Sequence, residues 1–478
     1  MPQQPTRAAR IEARIPPDAR AAARGTTDKA EVIQLSLEDH QRFADLLLHP
    51  PALAPAMKRA KRAHSRLIMS SAMILCCLFP HCASAQTRLV NASIPNFKGG
   101  GDPPPPAMVT KIQGDFNGDG KGDYALLGST AAYVYLSNGD GTFKGSVYSY
   151  PNGEVFGSPP SAAWTPVAGD FNGDGKTDFA MLGSISVDVF LSDGNGSFTA
   201  TGSYYPTGDT FGYPPSAAWT PVVGDFNGDG KADFAMLGSV SVDVFLSNGD
   251  GSFTATGSSY ATGDVFGYPP SAAWTPVVGD FNGDGKTDFA MLGSVSVDVF
   301  LSNGNGTFAA NGSYYPNGWV FGYPPSSAWT PIAGDFNGDG KADFAMLGST
   351  SAFVFLNNGS GAFTGSDYKY PNGDTFGAPP SATWAPIVGD FNGDGKTDFA
   401  MLGSVSVDVF LSNGNGTFTA NGSYYPTGWT FGYPPTARYT LVTGNFDGIN
   451  GTDFLFIGQE AYYTFLGNGA GGFTGSKH

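Results

Sequence analysis

DFNGDGKTD, at residues 170–178, is one of six nearly identical nine-residue stretches in this chain, and a seventh, altered copy follows them. The copies begin at Asp115, Asp170, Asp225, Asp280, Asp335, Asp390 and Asn445, so their spacing is constant. A constant period of about 55 residues indicates one supersecondary unit stacked on copies of itself.

Each stretch is also a loop rich in oxygen atoms that could hold a cation. In the copy at 170–178, positions 1, 3, 5 and 9 are Asp170, Asn172, Asp174 and Asp178, and Lys176 at position 7 offers its backbone carbonyl. Ca²⁺ takes six to eight oxygen ligands in flexible geometry, whereas Mg²⁺ demands a tighter octahedron. The repeats therefore predict about six Ca²⁺ ions, one for each intact loop.

The alternatives for these loops are a zinc site and a turn that binds nothing. Zinc is excluded because residues 83–477 contain neither cysteine nor histidine. A plain Asn/Gly turn between strands, which binds no metal, remains the alternative, although six copies in the same frame disfavour it. The predicted ligands are Asp115, Asn117, Asp119, Lys121, Asp123, Asp170, Asn172, Asp174, Lys176, Asp178, Asp225, Asn227, Asp229, Lys231, Asp233, Asp280, Asn282, Asp284, Lys286, Asp288, Asp335, Asn337, Asp339, Lys341, Asp343, Asp390, Asn392, Asp394, Lys396 and Asp398.

The seventh copy, at 445–453, lacks the carboxylate of position 5. Ile449 occupies that position. We expect a weak or empty site there.

The repeated unit predicts four short strands. In one unit they are 219–223, 234–237, 242–246 and 253–260, and an Asn-Gly turn, which is a strong hairpin signal, joins the last two. Seven such units form an all-β, seven-bladed propeller of four-stranded blades. Strand parity places the nine-residue loops on one face and the long loops between blades on the opposite face.

The propeller should cover residues 86–478. The segment 88–95 lies one period before the fourth strand of the first unit, so we expect it to supply or complete the outer strand of the last blade. This pairing would close the ring and cover an open strand edge.

The N-terminal segment 1–85 differs in composition from the repeats. Residues 57–85 have a basic start, a short apolar core and the small-residue sequence Ala83-Ser84-Ala85, which is typical of a secretory signal peptide. A membrane anchor is the alternative, but the apolar core of about 14 residues is short for a span. We expect a secreted or cell-surface protein whose mature form does not cross a membrane.

Parts of residues 9–66 resemble ribbon-helix-helix antitoxins that pair with acetyltransferase toxins. The resemblance lies in 9–21 and 31–60. We interpret residues 1–56 as a fusion remnant or a wrongly assigned start that is absent from the mature protein.

The repeats are strongly acidic. From residue 86 onward, 13 lysines and arginines face 34 aspartates and glutamates, a net charge of −21. Such a surface argues against nucleic acid and anionic membranes as partners. The repeats contain no cysteine and no histidine before the terminal His478, which argues against Ser-His-Asp and Cys-His catalysis. The acids recur in every unit instead of forming one unique cluster, so we expect no enzyme.

The units resemble FG-GAP repeats, also called VCBS repeats, of integrin α chains and many secreted bacterial proteins. The motif that matches is D-x-[DN]-x-D-G-x-x-D. The resemblance implies a propeller that binds Ca²⁺ on one face. It implies little about function, because the family includes adhesion modules, lectins and enzyme appendages.

The long loops carry a repeated set of aromatic residues. Exposed rings beside carboxylates suit sugars, because a ring stacks on the apolar sugar face and a carboxylate accepts hydroxyl groups. One loop position carries Glu154, Asp209, Asp264 and Asp374, but Trp319 and Trp429 in two units. The candidate ligand-binding residues are Asp209, Tyr213, Asp264, Tyr268, Trp319, Tyr323, Trp429 and Tyr433.

Packing between blades is the alternative role for these rings, above all for the recurrent phenylalanine and tryptophan. A variable position in the third strand is expected to face solvent and to line a groove between blades. It carries Asp188, Asp243, Asp298 and Asp408, replaced elsewhere by Tyr133, Phe353 and Tyr463.

The sequence thus predicts a multivalent binding module for glycans or cell-surface proteins, lectin-like or adhesive. Near-identical blades favour this, because weak sites add through effective concentration. A structural or protein-interaction propeller is the alternative, and a polysaccharide-active enzyme is the least favoured. The ligand and the oligomeric state do not follow from the sequence.

Overall fold

The computed structural model describes most of the chain from residue 109 onward. The predictions for 1–56, 57–85 and 88–95 therefore lie outside the described residues. The described residues are 109–206, 208–212, 214–260, 264–267, 270–272, 274–322, 324–449 and 451–478.

Seven antiparallel sheets of four strands each form the blades, as predicted, and the strands of a blade follow one another in chain order. Blade 1 contains β1 (Thr110–Gly114), β2 (Asp123–Leu127), β3 (Ala131–Ser137) and β4 (Phe143–Ser149). Blade 2 contains β5 (Thr165–Gly169), β6 (Asp178–Leu182), β7 (Ser186–Ser192) and β8 (Phe198–Tyr204). Blade 3 contains β9 (Thr220–Gly224), β10 (Asp233–Leu237), β11 (Ser241–Ser247) and β12 (Phe253–Ser259).

The remaining four blades repeat this pattern. Blade 4 contains β13 (Thr275–Gly279), β14 (Asp288–Leu292), β15 (Ser296–Ser302) and β16 (Phe308–Tyr314). Blade 5 contains β17 (Thr330–Gly334), β18 (Asp343–Leu347), β19 (Ser351–Asn357) and β20 (Phe363–Lys369). Blade 6 contains β21 (Ala385–Gly389), β22 (Asp398–Leu402), β23 (Ser406–Ser412) and β24 (Phe418–Tyr424). Blade 7 contains β25 (Thr440–Gly444), β26 (Asp453–Ile457), β27 (Tyr462–Gly467) and β28 (Phe473–Lys477).

Short 3₁₀ turns interrupt the long loops, and each one in the described part of the chain begins with a proline whose fixed φ suits a first helical position. They span Pro151–Gly153, Pro160–Ala162, Pro215–Ala217, Pro270–Ala272, Pro316–Gly318, Pro325–Ser327, Pro371–Gly373, Pro380–Ala382, Pro426–Gly428 and Pro435–Ala437. Among the residues that the structure describes, no helix is both long and apolar enough to span a bilayer.

The hydrophobic core consists of wedges between neighbouring blades. The second strand of every blade is buried along its whole length, because both of its faces are covered by adjacent blades. One cluster, for example, joins Leu182 and Val189 of blade 2 to Phe234 and Phe245 of blade 3. The rings of Phe234 and Phe245 stack across the strand pair with centroids 4.6 Å apart. Each blade therefore needs its neighbour to cover its apolar face.

Blades 7 and 1 meet to close the ring. Strand β1 contacts both β5 and β25. Lys111 Nζ donates a 2.7 Å hydrogen bond to the carbonyl of Leu441, and the Phe143 ring packs against Phe446. The outer strand of blade 7 is β28, formed by the C-terminal residues. Residues 473–477 thus form this strand. The prediction that 88–95 supplies or completes it lies outside the described residues and stays a prediction.

The loops lie on the faces that strand parity predicts. The nine-residue loops lie on the same face as the hairpin turns that join the third and fourth strands. A Cβ on Gly194, in one such turn, would lie 3.1 Å from Cε of Lys176 in a nine-residue loop. The long loops lie on the other face, where the amide of Phe211 donates to the carbonyl of Ser184 in the turn between β6 and β7. Two chemically different faces therefore present candidate sites.

Candidate functional site

In each intact nine-residue loop, hydrogen bonds to side-chain oxygens hold the backbone in a tight curl. In the copy at 170–178, Asp170 accepts the amides of Gly173 at 2.7 Å and of Gly175 at 2.8 Å. The amide of Asp174 donates to Asn172 Oδ1 at 2.9 Å. The two glycines have φ of 76° and 82°, which other residues rarely adopt.

The aspartate at position 9 is buried and joins the loop to the third strand. Asp178 is fully buried and accepts the amide of Phe171 at 2.9 Å and that of Ser192 at 2.6 Å. Burial raises its pKa to about 7; the two amides oppose this rise, and the carboxylates of Asp170 and Asp174 add to it. Three carboxylates of one loop therefore repel one another at close range.

A lysine offsets part of this charge in every intact loop. Lys176 Nζ lies 2.5 Å from Asp174 Oδ2. Burial alone would raise the pKa of Asp174, but hydrogen bonds from Lys176 and Asn172 outweigh burial and lower it. The equivalent ion pairs are Lys121–Asp119, Lys231–Asp229, Lys286–Asp284, Lys341–Asp339 and Lys396–Asp394.

The oxygen ligands and the negative charge of each intact loop suit Ca²⁺, but the side chains are not arranged as a preformed metal site. Across the described residues, no three acidic, histidine or cysteine side chains converge as metal ligands. The oxygens of Asp170 and Asp174 instead accept backbone amides and the lysine. The predicted calcium ligands therefore stay a prediction, and binding would have to displace some of these hydrogen bonds.

The nine-residue loops also connect neighbouring blades. The amide of Thr177, at position 8, donates to the carbonyl of Asp115 in the preceding loop at 2.6 Å, and equivalent bonds link all seven loops around the ring. Ser192 Oγ adds a 2.6 Å bond to the carbonyl of Phe116. Because Gly467 takes the place of this serine in blade 7, the seam between blades 6 and 7 cannot form the side-chain bond.

The seventh loop has lost much of the internal bonding. Oδ1 of Asn445, at position 1, is buried without a hydrogen-bond partner among the described residues. Ile449 is 66% exposed. Asp453 is still buried and accepts the amide of Phe446 at 2.6 Å. The structural function of position 9 thus persists where the position-5 carboxylate is absent.

On the opposite face, the recurrent phenylalanine and tryptophan pack between blades. Phe211 is 1% exposed and meets the ring of Trp219 edge to face at 5.1 Å. The indole covers Gly238, where a Cβ would lie 2.3 Å from the ring. The packing alternative therefore holds for these two positions. The other buried phenylalanines of this set are Phe156, Phe266, Phe321, Phe376 and Phe431.

At four boundaries between blades, here called the acidic clefts, a carboxylate from the long loop lies near an aspartate of the next third strand. Asp374 follows blade 5, and Asp408 lies on β23 of blade 6. Burial and then the charge of Asp374 raise the pKa of Asp408 to about 6. The equivalent pairs are Glu154 with Asp188, Asp209 with Asp243, and Asp264 with Asp298.

The cleft between blades 5 and 6 has a volume of about 340 Å³. Its lining includes the two carboxylates, Asn372, Ser406 and the ring of Tyr424, which is 82% exposed. Carboxylate, amide and hydroxyl groups beside an exposed ring can bind a small polar ligand by hydrogen bonds and stacking.

Two other clefts, here called the tryptophan clefts, are filled by the protein itself. Trp319 and Trp429 stand at the loop position of the carboxylates. The ring of Trp319 lies 4.6 Å from that of Phe353, and Trp429 lies 5.0 Å from Tyr463. Both indoles are half-buried.

The eight predicted ligand-binding residues thus do not form one uniform set. Asp209 and Asp264 line acidic clefts, whereas Trp319 and Trp429 pack into tryptophan clefts. Tyr433 is 59% exposed and approaches Trp384 edge to face. The remaining three lie outside the described residues: Tyr213, Tyr268 and Tyr323.

The site prediction omitted the aspartates of the third strand and the exposed tyrosines of the fourth. A signal for the aspartates exists in the sequence. Wherever the loop position is acidic, the third-strand position of the next unit is aspartate, and where the loop position is tryptophan, that position is aromatic. The tyrosines that share one register position are Tyr204, Tyr314 and Tyr424.

Comparison with known proteins identifies the family. The model described as FG-GAP-like repeat matches six overlapping pairs of units, and the chain belongs to this family. The matches cover 115–181, 170–236, 225–291, 280–346, 335–401 and 390–448. A model described as Antitoxin TacA 1-like matches residues 10–66, in agreement with the resemblance of the N-terminal segment. No curated protein matches the chain.

Several solved structures are similar in fold. A lectin of Agrocybe aegerita, described as recognising non-reducing terminal N-acetylglucosamine, is 22% identical with a TM-score of 0.61 over 74% of this chain and 89% of the lectin. A Photorhabdus luminescens Tc holotoxin pore is 15% identical, with a TM-score of 0.38 over 72% of this chain and 18% of that one. An exotype rhamnogalacturonan lyase, YesX, is 15% identical, with a TM-score of 0.33 over 75% and 65%. At these identities the likeness concerns the fold.

Proposed function

We propose that this protein is a secreted or cell-surface, calcium-binding propeller that binds extracellular glycans through its acidic clefts. The observation that carries the proposal is the repetition of one carboxylate pair at four boundaries between blades, together with the cleft that this pair lines between blades 5 and 6. A binding module gains from such repetition, because several weak sites on one body raise avidity for a repetitive surface.

The composition of the cleft between blades 5 and 6 supports a sugar as ligand. Its volume of about 340 Å³ lies at the small end of ligand pockets, which range over roughly 300–1,000 Å³. Asn372 and Ser406 add groups that can donate and accept hydrogen bonds, and Tyr424 offers a ring face. The similarity in fold to a fungal lectin supports the same class of function.

Calcium has a structural function in this proposal. The residues that would hold it are those at positions 1, 3, 5 and 9 of each intact loop and the carbonyl at position 7. A bound cation would neutralise carboxylates that now repel one another and would strengthen the loops that link the blades. The glycan clefts lie on the opposite face, so calcium would act on binding through stability of the ring.

A polysaccharide-active enzyme is the second candidate, because a carboxylate pair with one raised pKa is also what glycoside hydrolysis requires. The pKa of about 6 for Asp408, beside Asp374, is the observation that favours it. Release of reducing ends from polysaccharides, abolished by Asp408→Asn, would establish this activity. The fourfold repetition of the pair favours a binding function instead.

A glycan array tests the proposed function. Labelled protein corresponding to residues 86–478, with Ca²⁺ present, should give signals on a related group of glycans. Silence across the array, together with capture of a protein partner from the cell envelope, would favour the protein-interaction alternative. Mass spectrometry of the mature N-terminus tests secretion and should locate cleavage after Ala85.

A further inference from the structure

A cavity of about 760 Å³ lies on blade 7, on the face of the long loops. Its walls come from the 3₁₀ turn Pro435–Ala437 and the residues that follow it, from the turn between β26 and β27, and from β27 and β28 themselves. The volume falls within the range of roughly 300–1,000 Å³ that is usual for ligand pockets. No acidic cleft contributes to it, so it is a separate candidate site.

The residues that line this cavity depart from the repeat. Arg438 stands where blades 2–6 have alanine or threonine, and Tyr439 where they have tryptophan. In the turn between the second and third strands, Gln459 and Glu460 replace a serine and a threonine, isoleucine or valine of blades 1–6. On the fourth strand, Lys477 replaces glycine, valine or aspartate. Departures from an otherwise consistent pattern are expected at functional sites, and here five of them line one cavity.

Unpaired positive charge is concentrated at the same place. Seven described lysines form ion pairs with aspartates. Arg438 and Lys477 form no ion pair with a described residue, and Glu460 is the one acid among the described lining residues. An adjoining cavity shares Tyr439 and contains Lys111, whose ammonium group bonds to neutral oxygen atoms. This corner is therefore basic, although the chain from residue 86 onward has a net charge of −21.

Two tyrosine rings form part of the wall beside these cations. Tyr439 and Tyr463 are half-buried, with ring centroids 6.1 Å apart, and Lys477 Nζ lies 5.5 Å from the centroid of Tyr463. Burial, then the neighbouring Tyr463, raises the pKa of Tyr439; the charges of Arg438 and Lys477 oppose this rise, and Glu460 adds to it. All three charged side chains are thus close enough to act on one hydroxyl group. Rings beside cations can stack on a sugar and hold an anionic group at the same time.

We propose that this cavity, here called the basic cavity, binds a saccharide that carries an anionic group, with the anion between Arg438 and Lys477. The planar guanidinium of Arg438 matches the paired oxygens of a carboxylate or a sulfate. The tyrosine rings offer stacking surfaces, and Gln459 and Glu460 offer partners for hydroxyl groups. The inference goes beyond the function proposed above, because the carboxylate pairs of the acidic clefts would repel such a ligand.

Titration calorimetry with two matched pairs of tetrasaccharides tests the proposal. One pair is tetragalacturonate and its full methyl ester; the other is sulfated maltotetraose and maltotetraose. We expect at least one anionic tetramer to bind about tenfold or more tightly than its uncharged match, because charge-assisted hydrogen bonds contribute more than neutral ones. The pair with the larger ratio identifies the anion as carboxylate or sulfate.

Arg438→Gln should weaken binding of that anionic tetramer by about tenfold and leave binding of its uncharged match unchanged. Arg438→Lys should restore part of the loss, because it keeps the charge and removes the planar fork. Lys144→Gln is the matched control. It removes one positive charge from another exposed side chain, at the start of β4 beside a hairpin turn of the opposite face, and binding should not change.

Equal affinity for the anionic and uncharged tetramers would overturn the proposal. Equal losses in Arg438→Gln and Lys144→Gln would also overturn it, since they would indicate general attraction to positive charge. Tighter binding of a tetraglutamate peptide than of either anionic tetramer would assign the cavity to an acidic protein segment instead. Lack of binding to both anionic tetramers would overturn this proposal alone, because binding by the acidic clefts is measured separately on the glycan array.

Discussion

Both faces of this propeller carry aspartates, but the aspartates of the two faces differ in their surroundings. On the face of the nine-residue loops, the aspartates bond to the loop itself, and the one at position 9 is fully buried: Asp178 accepts two backbone amides. On the opposite face, Asp408 is half-buried in an accessible cleft and faces another carboxylate. The loop sequence hardly varies among the first six units, whereas the cleft residues differ from blade to blade. The residues of the nine-residue loops are uniform and have a structural role, whereas the cleft residues vary and are accessible to solvent.

Removal of calcium should produce the largest change. If the six intact loops bind Ca²⁺ with dissociation constants of about 10⁻⁴–10⁻³ M, about 5 mM Ca²⁺ stabilises the fold by roughly 1–2 kcal/mol for each site. Differential scanning calorimetry should show a melting temperature that falls with EDTA and recovers with Ca²⁺. A melting curve that EDTA leaves in place would mean that the loops are turns without metal.

Substitution of one position-9 aspartate should have the next largest effect. Asp288→Ala leaves the buried amides of Phe281 and Ser302 without their acceptors, which should cost about 2–5 kcal/mol in the free energy of unfolding. Denaturant unfolding in EDTA measures this apart from metal binding. The exposed Asp367→Ala is the control and should change stability by less than about 0.5 kcal/mol. Similar losses in both variants would remove the distinction between the faces.

Trp319→Ala tests whether the tryptophan clefts are packed. Loss of the half-buried indole from Phe353 should destabilise the fold by about 2–3 kcal/mol. Asp264→Ala, at the same loop position in an acidic cleft, should leave stability unchanged or slightly raised, because it removes a carboxylate that faces Asp298. Thermal unfolding measures the melting temperatures of both variants. An equal decrease in the two would contradict the division into two kinds of cleft.

The smallest expected effect is a pH dependence from the third-strand aspartates. Burial holds the pKa of Asp408 at about 6, above its ordinary 3.8, so the folded state retains a proton that the unfolded state releases. Its contribution to stability therefore decreases as the pH rises from about 4 to about 6. Asp408→Asn should make this decline shallower in urea titrations at several pH values; an unaltered slope would place Asp408 in a solvated environment.

The repeat made the fold readily predictable. The strand predicted over 234–237 is Asp233–Leu237 in the structure, because both faces of this apolar run are covered by neighbouring blades. The bonds between loops, such as Thr177 to Asp115, could not be predicted, because they join distant parts of the chain across a blade boundary. The predicted contribution of 88–95 to the outer strand of blade 7 lies outside the described residues and stays a prediction.

The candidate site was predicted less completely. The aromatic rings drew attention because they recur, yet Phe211 and Trp219 recur because each fills the same wedge between blades. The pairing of Asp374 with Asp408 appears in the sequence as a spacing that recurs from unit to unit, but spacing alone does not tell which loop faces which strand. The structure supplies that contact by setting the loop after one blade against the third strand of the next.

A glycan array with one combined variant tests most directly whether recognition belongs to the acidic clefts. The variant carries Asp188→Asn, Asp243→Asn, Asp298→Asn and Asp408→Asn, and leaves every nine-residue loop intact. In the presence of Ca²⁺, we predict that it melts at or above the temperature of the unaltered protein and loses the array signals that the unaltered protein gives on glycans without an anionic group. Undiminished signals from a folded variant would contradict the account and place recognition elsewhere on the propeller.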